Sequence, residues 1–545
     1  MTLYLLHHTH LDIGYTHHQD EVERLQWSHL EEALRLGEAS QGLPEGERFV
    51  WNPEGMWQVD TYLRAHPGAA SERLLEGIRR GWIELDGMYA GLLTGMANEE
   101  TLLHAFDAAR EVSARTGVPI ESEMLSDIPG FSWGLVEALH RSGIRYLSVG
   151  PNFGHRIGHF TEELGDRPFW WEGPSGKSRV LTWVSGGGYA WFHTGLGYDS
   201  ISARLDEEKV FRYVDQLETG GYPFDLAYLR YNIGSDNGPP DPMLAEAVRA
   251  WNRRYASPAL RISGTTEAFR EMERRYGDLL PTYRGDLTGH WEDGAASSAR
   301  ETALTRRTAE SLVQTEDLAR QRGVTLNPAQ LAEAWRQVLL FWEHTWGSWN
   351  SISEPWSELT VSSWETKKGF AERAASLAGE LRAAALEGGA TDGAWLEVHN
   401  TLGWPRSGLV VLPAQASRAG NGVRAEGGAL LPSQRLATGE LAFLAADVPA
   451  EGKLRVRVEA GPAPRDAAPG GAGAAPSTGN AAPGAAGAAV LETSAYRVEV
   501  DAASGEIRSL VHRPTGRELV DTASEGLARY VYVPGRDPAK AVGPG

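Results

Sequence analysis

The chain has 545 residues, a formal net charge of −20 and no cysteine. That length exceeds one small core and implies about three domains, while the acidity argues against a nucleic-acid binder and offers no basic patch to anionic lipid. Without cysteine there is no disulfide scaffold, thiolate metal site or cysteine nucleophile, so a metal must be held by His, Asp or Glu.

The N-terminus, Met-Thr-Leu-Tyr-Leu-Leu-His-His, lacks the basic-then-apolar pattern of a secretory leader. No uninterrupted run of about 18 apolar residues marks a membrane span. A soluble cytoplasmic protein is expected, with neither membrane nor nucleic acid as partner; self-association into a homo-oligomer is left open.

Taken in chain order, short apolar runs at 3–8, 48–52, 82–86, 122–126, 146–149, 179–184, 227–232 and 260–263 read as strands. Amphipathic stretches at 19–38, 98–115, 132–143, 201–218 and 241–255 read as the helices between them. Such alternation predicts βαβ units and a mainly parallel sheet. Seven or eight units favour a (β/α) barrel-like domain over 1–275, closed or nearly so. Residues 276–388 turn helical, as a helical-bundle middle domain. Asn327-Pro328 supplies a cap and a first-turn proline, and Leu331, Trp335, Val338, Leu339 and Trp342 follow at helical spacing. Residues 389–545 carry short alternating strands, read as an incomplete β-sandwich domain. A Gly/Ala/Pro-rich stretch at 461–489 lacks the large apolar side chains needed to fold and is expected to be disordered. The fold class is therefore α/β plus all-α plus all-β.

Four polar clusters lie past predicted strands or at a helix end, where parallel α/β folds gather their chemistry. In His8-Thr9-His10-Leu11-Asp12, alternation places His8, His10 and Asp12 on one side, a donor set suited to a divalent metal; a solvated histidine-rich N-terminus is the plainer alternative. Asp127 stands in Ser-Asp-Ile-Pro-Gly-Phe, where a helix cap near Ser132 explains it at least as well. Asp236 in Gly-Ser-Asp-Asn-Gly is balanced between a turn and a functional carboxylate. His344, in Glu-His-Thr-Trp-Gly, either meets a helix dipole or stands in a sugar-binding wall with Trp342, Trp346 and Trp349.

In this order the clusters resemble glycoside hydrolase family 38, the α-mannosidase family, and the likeness runs over nearly the whole chain. His8-Thr9-His10-Leu11-Asp12-Ile13-Gly14-Tyr15 is similar to that family's opening His-x-His-x-Asp motif. The resemblance implies one zinc ion per chain held by His10, Asp12, Asp127 and His344. It implies Asp127 as nucleophile and Asp236 as acid/base, and a middle domain that completes the active site. Tyr15, Phe131, Trp171, His290, Thr345 and Trp346 then fall at substrate-binding positions. Two departures stand out: Tyr15 replaces the family's tryptophan, and Thr345 replaces the aspartate that follows the metal histidine. The substrate implied is a carbohydrate with terminal α-mannosyl or related bonds. Retaining chemistry of this kind places two carboxyl groups about 5–5.5 Å apart.

Two other readings compete. A metal-dependent amidohydrolase also starts with His-x-His, yet it needs histidines after its middle strands, where this chain has Asp127, Pro151 and Gly186. A catalytically silent carbohydrate-binding relative would keep the aromatic residues and lose the carboxylate geometry. Should Asp236 not serve as acid/base, Glu54 and Glu343 are the next suspects.

Overall fold

The structure, a computed structural model, describes residues 1–128, 130–152, 160–189, 206–234, 236–289, 291–387, 395–461, 489–521, 523 and 526–530, and of 291–294 the backbone alone. His290 and nearly all of the 461–489 insertion lie outside the described residues. The chain divides into two compact units, Met1–Glu387 and Gly388–Ala541.

The strands of the first unit are β1 (Thr2–His7), β2 (Ser122–Ser126), β3 (Gly130–Phe131), β4 (Tyr146–Gly150), β5 (Phe169–Glu172), β6 (Arg179–Val184), β7 (Leu226–Tyr231), β8 (Ala259–Ser263), β9 (Thr282–Arg284) and β10 (Leu287–Thr288). β1 lies between β7 and β8, parallel to both, with Thr2 opposite Leu226 and Ala259. Leu3, Leu5 and Leu6 are fully buried, as a central strand covered on both faces requires. A second sheet runs β2-β4-β6-β5-β9. β2, β4 and β6 are parallel, but β5 returns antiparallel to β6 and breaks the βαβ pattern.

The two sheets do not merge into the expected barrel; no closed barrel is found among the described residues. The stretches 48–52 and 82–86 form no ladders, only single bridges, His8 with Asn52 and Trp51 with Ile83. The Gly87 amide then donates to the Ser122 carbonyl at 3.1 Å. Pro53 and Gly55 (φ 78°) end the first of these stretches too soon for a longer ladder.

Three long helices follow, Ala299–Arg322, Pro328–Trp342 and Glu358–Leu386, the last packed on both others. Asn327 caps the second through the amides of Ala329 and Gln330, with Pro328 in the first turn. Trp335, Leu339 and Leu377 share one core with Trp51, Phe131 and Trp171 of the strand region. Mixed helix and sheet in more than one unit is thus the architecture.

In the second unit all strand pairings among the described residues are antiparallel. Val423 and Val456 from one sheet join Leu441 and Phe443 from another in a small core. Among the described residues no helix is long and apolar enough to cross a membrane.

Candidate active site

Parallel pairing sends the chain past β1 and β7 toward one edge, and the end of β2 and the helix Pro328–Trp342 deliver Asp127 and His344 to the segment after β1. Beyond β1, residues His8 to Leu11 are buried at 0–1% exposure. Alternation along an extended chain predicts His8, His10 and Asp12 on one side. The structure separates His8, whose Nε2 accepts from the buried Arg230 guanidinium at 3.3 Å. His10 and Asp12 do converge, with Nε2 of His10 3.3 Å from Oδ1 of Asp12.

Asp127 follows β2. Its backbone amide donates to the Gly150 carbonyl at 2.9 Å, and Asn152 donates to its Oδ1. The next helix starts only at Leu135 with Gly134 as cap, so Asp127 does not cap it. Its φ of 55° lies in the left-handed region, as do those of Tyr15 and Asn237, both 59°. Non-glycine residues held there store strain, which concentrates at functional sites. Oδ2 of Asp127 comes to 3.5 Å from Nε2 of His10.

His344 arrives because the helix ends at Trp342 and Glu343 leaves it in extended conformation (ψ 143°). The His344 amide donates to the Gly91 carbonyl at 2.9 Å, and its Nε2 faces Oδ1 of Asp12 at 3.3 Å. One ligand atom from each of His10, Asp12, Asp127 and His344 lies within 4.8 Å of the others.

These four fit a metal ion on their own chemistry. The imidazole Nδ1 of His10 donates to Oε2 of Glu54 at 3.1 Å, which leaves Nε2 as a lone pair aimed at two carboxylates. Among the described residues, His10 Nε2, Asp12 Oδ2 and His344 Nε2 are buried without a hydrogen-bond partner. Lone pairs packed against carboxylate oxygens repel unless positive charge sits among them. The same demand appears in the proton equilibria. Burial alone would push the His10 imidazole down, but the Glu54 and Asp12 carboxylates outweigh it and hold it well above the usual range. Burial also opposes protonation of His344, yet Asp12 and Glu343 raise it to about 10. Asp12 is held below the carboxylate range by both imidazoles, against its own burial. Two nitrogen and two oxygen donors suit a borderline divalent cation such as zinc.

Behind this cluster stand Glu54 and Glu343, which the sequence offers only as alternative acid/base candidates. Glu54, at 1% exposure, takes the His10 ring and the Leu11 amide on Oε2 (3.1 and 3.3 Å) and the Ser126 amide on Oε1 (2.6 Å). One carboxylate thereby ties the end of β1 to the residue before Asp127. Glu343 lies 3.0 Å from Nδ1 of His344 and pairs with the buried Lys367 ammonium at 2.9 Å. Neither Glu54 nor Glu343 is open to solvent. A carboxylate just past a buried run, as in Asn52-Pro53-Glu54-Gly55, was the available signal for Glu54.

Asp236 lies in the turn after β7. The Tyr189 hydroxyl donates to its Oδ1 at 3.0 Å. Burial raises the Asp236 carboxyl to about 7, with the charges of Asp12 and Asp127 adding to the shift and His10 opposing it.

The remaining candidates differ in exposure. Tyr15 is 36% exposed, its carbonyl accepting from the Trp349 amide. Thr345 is buried, its hydroxyl donating to Oε2 of Glu343 at 2.6 Å. Trp346 is half-buried against the main core. Phe131 and Trp171 are fully buried, Trp171 donating its indole N–H to the Gly285 carbonyl. The three tryptophans do not form one wall, since Trp342 is in the core and Trp349 is 63% exposed.

Residues 1–286 match the family described as glycosyl hydrolases family 38 N-terminal domain. Among solved structures, an α-mannosidase from Enterococcus faecalis V583 superposes with TM-score 0.66 at 14% identity, covering 95% of this chain and 61% of that one. A glycosyl hydrolase family 38 protein from Enterococcus faecalis gives TM-score 0.60 at 14% identity, with 95% and 60% coverage. This chain therefore spans about three-fifths of their length, and the likeness at that identity is one of fold. No curated protein matches the chain.

Proposed function

The chain belongs to glycosyl hydrolase family 38, and on that premise we propose that it is a zinc-dependent retaining α-mannosidase acting on terminal α-mannosyl or related bonds. The observation that carries this reading is the convergence of His10, Asp12, Asp127 and His344. Residues 1–275 and 276–388 together furnish these four, with residues 389–545 as an appended β domain.

Asp127 is the nucleophile. A carboxylate oxygen of Asp127 attacks the anomeric carbon while Asp236 passes its proton to the departing glycosidic oxygen, giving a glycosyl ester on Asp127. The Asp236 carboxylate then takes a proton from the water that opens the ester, and both residues return to their starting states. A carboxyl raised to about 7 is suited to both halves of this cycle. Asn152 and the Gly150 carbonyl hold Asp127 in its left-handed conformation, aimed across the ligand cluster. A zinc ion held by the four ligands would supply Lewis-acid stabilisation as the sugar ring distorts toward an oxocarbenium-like state.

The test is turnover of an aryl-glycoside panel by zinc-loaded protein, with the metal content measured alongside. About one divalent ion per chain and preference for aryl α-mannosides are expected. Protein that takes up no stoichiometric divalent ion, or cleaves no glycoside, sinks the reading.

A further inference from the structure

The residue after Asp236 is an asparagine at 3% exposure, and each of the four hydrogen-bonding positions of its amide is filled. Oδ1 of Asn237 accepts from the Asp12 backbone amide at 3.2 Å and from Nε2 of Gln26 at 2.9 Å. Nδ2 donates to the Asp12 carbonyl at 3.2 Å and to Oγ1 of Thr16 at 2.9 Å. The Asn237 backbone amide donates to the carbonyl of His10 at 2.7 Å. One residue thus grips the peptide groups of two metal-ligand candidates, Asp12 at 225 positions' distance along the chain and His10 two residues further.

Gly234 (φ 79°) and Gly238 bracket Asp236 and Asn237, and glycine gives a loop little resistance to rearrangement. Contacts from outside the turn hold Asp236: the Tyr189 hydroxyl reaches its Oδ1 directly, and Asn237 anchors the backbone next to it. Asparagine suits the task because it tolerates φ 59° and carries two donors and an acceptor at one short reach. Aspartate would lose both donors and set an oxygen against the Asp12 carbonyl. Glutamine would be too long for a two-point grip.

We infer that Asn237 is a positioning residue for the proton-transfer step, fixing Asp236 against the segment that bears His10 and Asp12. The inference rests on the proposed roles of Asp127 and Asp236. A general acid works only within hydrogen-bond reach of the leaving oxygen, and a misplacement near 1 Å costs on the order of 10²-fold in rate. The clamp touches Asp12 through its peptide groups alone, so losing it should leave the ligand side chains in place.

The experiment compares Asn237→Asp, Asn237→Gly and the milder Gln26→Leu with wild type over a series of aryl and alkyl α-mannosides, with zinc content and Tm recorded for each. Glycine adopts φ 59° freely, which separates loss of the amide from backbone strain. Expected is a fall in kcat/KM of about 10²-fold for the Asn237 variants with poor leaving groups, shrinking toward wild type with dinitrophenolate, which departs without a proton. Gln26→Leu should show the same dependence with smaller amplitude, and zinc content should stay at the wild-type value. A loss equal across all leaving groups, no loss, or loss of zinc overturns the inference. Asp236→Ala, run in parallel, separates the two levels. If it shows the leaving-group dependence and the Asn237 variants do not, only the positioning role falls. If Asp236→Ala is itself flat across the series, the acid/base reading falls and the positioning role with it.

Discussion

The Tyr189 hydroxyl donates a hydrogen bond to Oδ1 of Asp236 at 3.0 Å, while the Tyr189 ring lies 4.8 Å from that of His10. One tyrosine just beyond β6 thus touches both the carboxyl proposed as acid/base and a proposed metal ligand. A phenol donor stabilises the ionised carboxylate and so opposes the burial that raises Asp236. Tyr189→Phe should let this carboxyl rise further. As an acid, Asp236 must be protonated, so activity declines as pH rises through its pKa, and in Tyr189→Phe that alkaline limb should move to higher pH. A kcat/KM profile with an unmoved limb would show that the hydroxyl does not tune Asp236.

Glu54 should matter for metal rather than for proton transfer. Its Oε2 fixes the His10 tautomer that points Nε2 at the ligand cluster. Glu54→Gln keeps an acceptor for the ring but removes the charge that makes the imidazole basic. Zinc affinity, read by competition with a chelator, should fall about 10- to 100-fold. Unchanged affinity would reduce Glu54 to a structural brace for the Ser126 amide.

Lys367 and Glu343 form a buried pair at 2.9 Å, at 4% and 1% exposure. Removing Lys367 leaves the buried Glu343 charge to His344 and Thr345 alone, so Lys367→Met should cost about 3 kcal/mol of stability. Glu343→Gln combined with Lys367→Met should recover much of that loss. Chemical denaturation of the metal-free proteins checks both, and an additive double variant would show that the pair is not coupled.

Stability should also respond to pH through a carboxylate remote from the ligands. Burial raises Glu84 to about 7, against a bond from the Thr266 amide at 2.5 Å. The folded state therefore keeps a proton that the unfolded chain releases near the ordinary carboxylate value. The stabilisation is full at low pH and is lost as pH rises through about 7. Asp86 and Glu123, raised by burial and by neighbouring carboxylates, act in the same sense. Wild-type Tm should fall between pH 5 and 8, and Glu84→Gln should flatten that slope. Equal slopes for the two proteins would exclude Glu84 as a contributor.

Much of this protein is legible along the chain. Local hydrophobic patterning set the strands at β1, β2, β4, β6, β7 and β8 and the capped start of the helix at Pro328, because burial of an apolar run and capping of a helix are decided by near neighbours. The order of the polar clusters carried the resemblance to the family. Tertiary structure decided the rest. Whether the sheets close depends on ladders between distant segments, and here Trp51 and Asn52 make single bridges while β5 runs backward. His8 and His10 look alike in sequence; one meets Arg230, brought from 222 residues away, and the other meets Glu54 and Asp12. Tyr189 and Asn237 had no motif to announce them. Their hydrogen bonds run to partners 47 and 225 positions distant, and such pairings exist only once the folded chain has placed both ends.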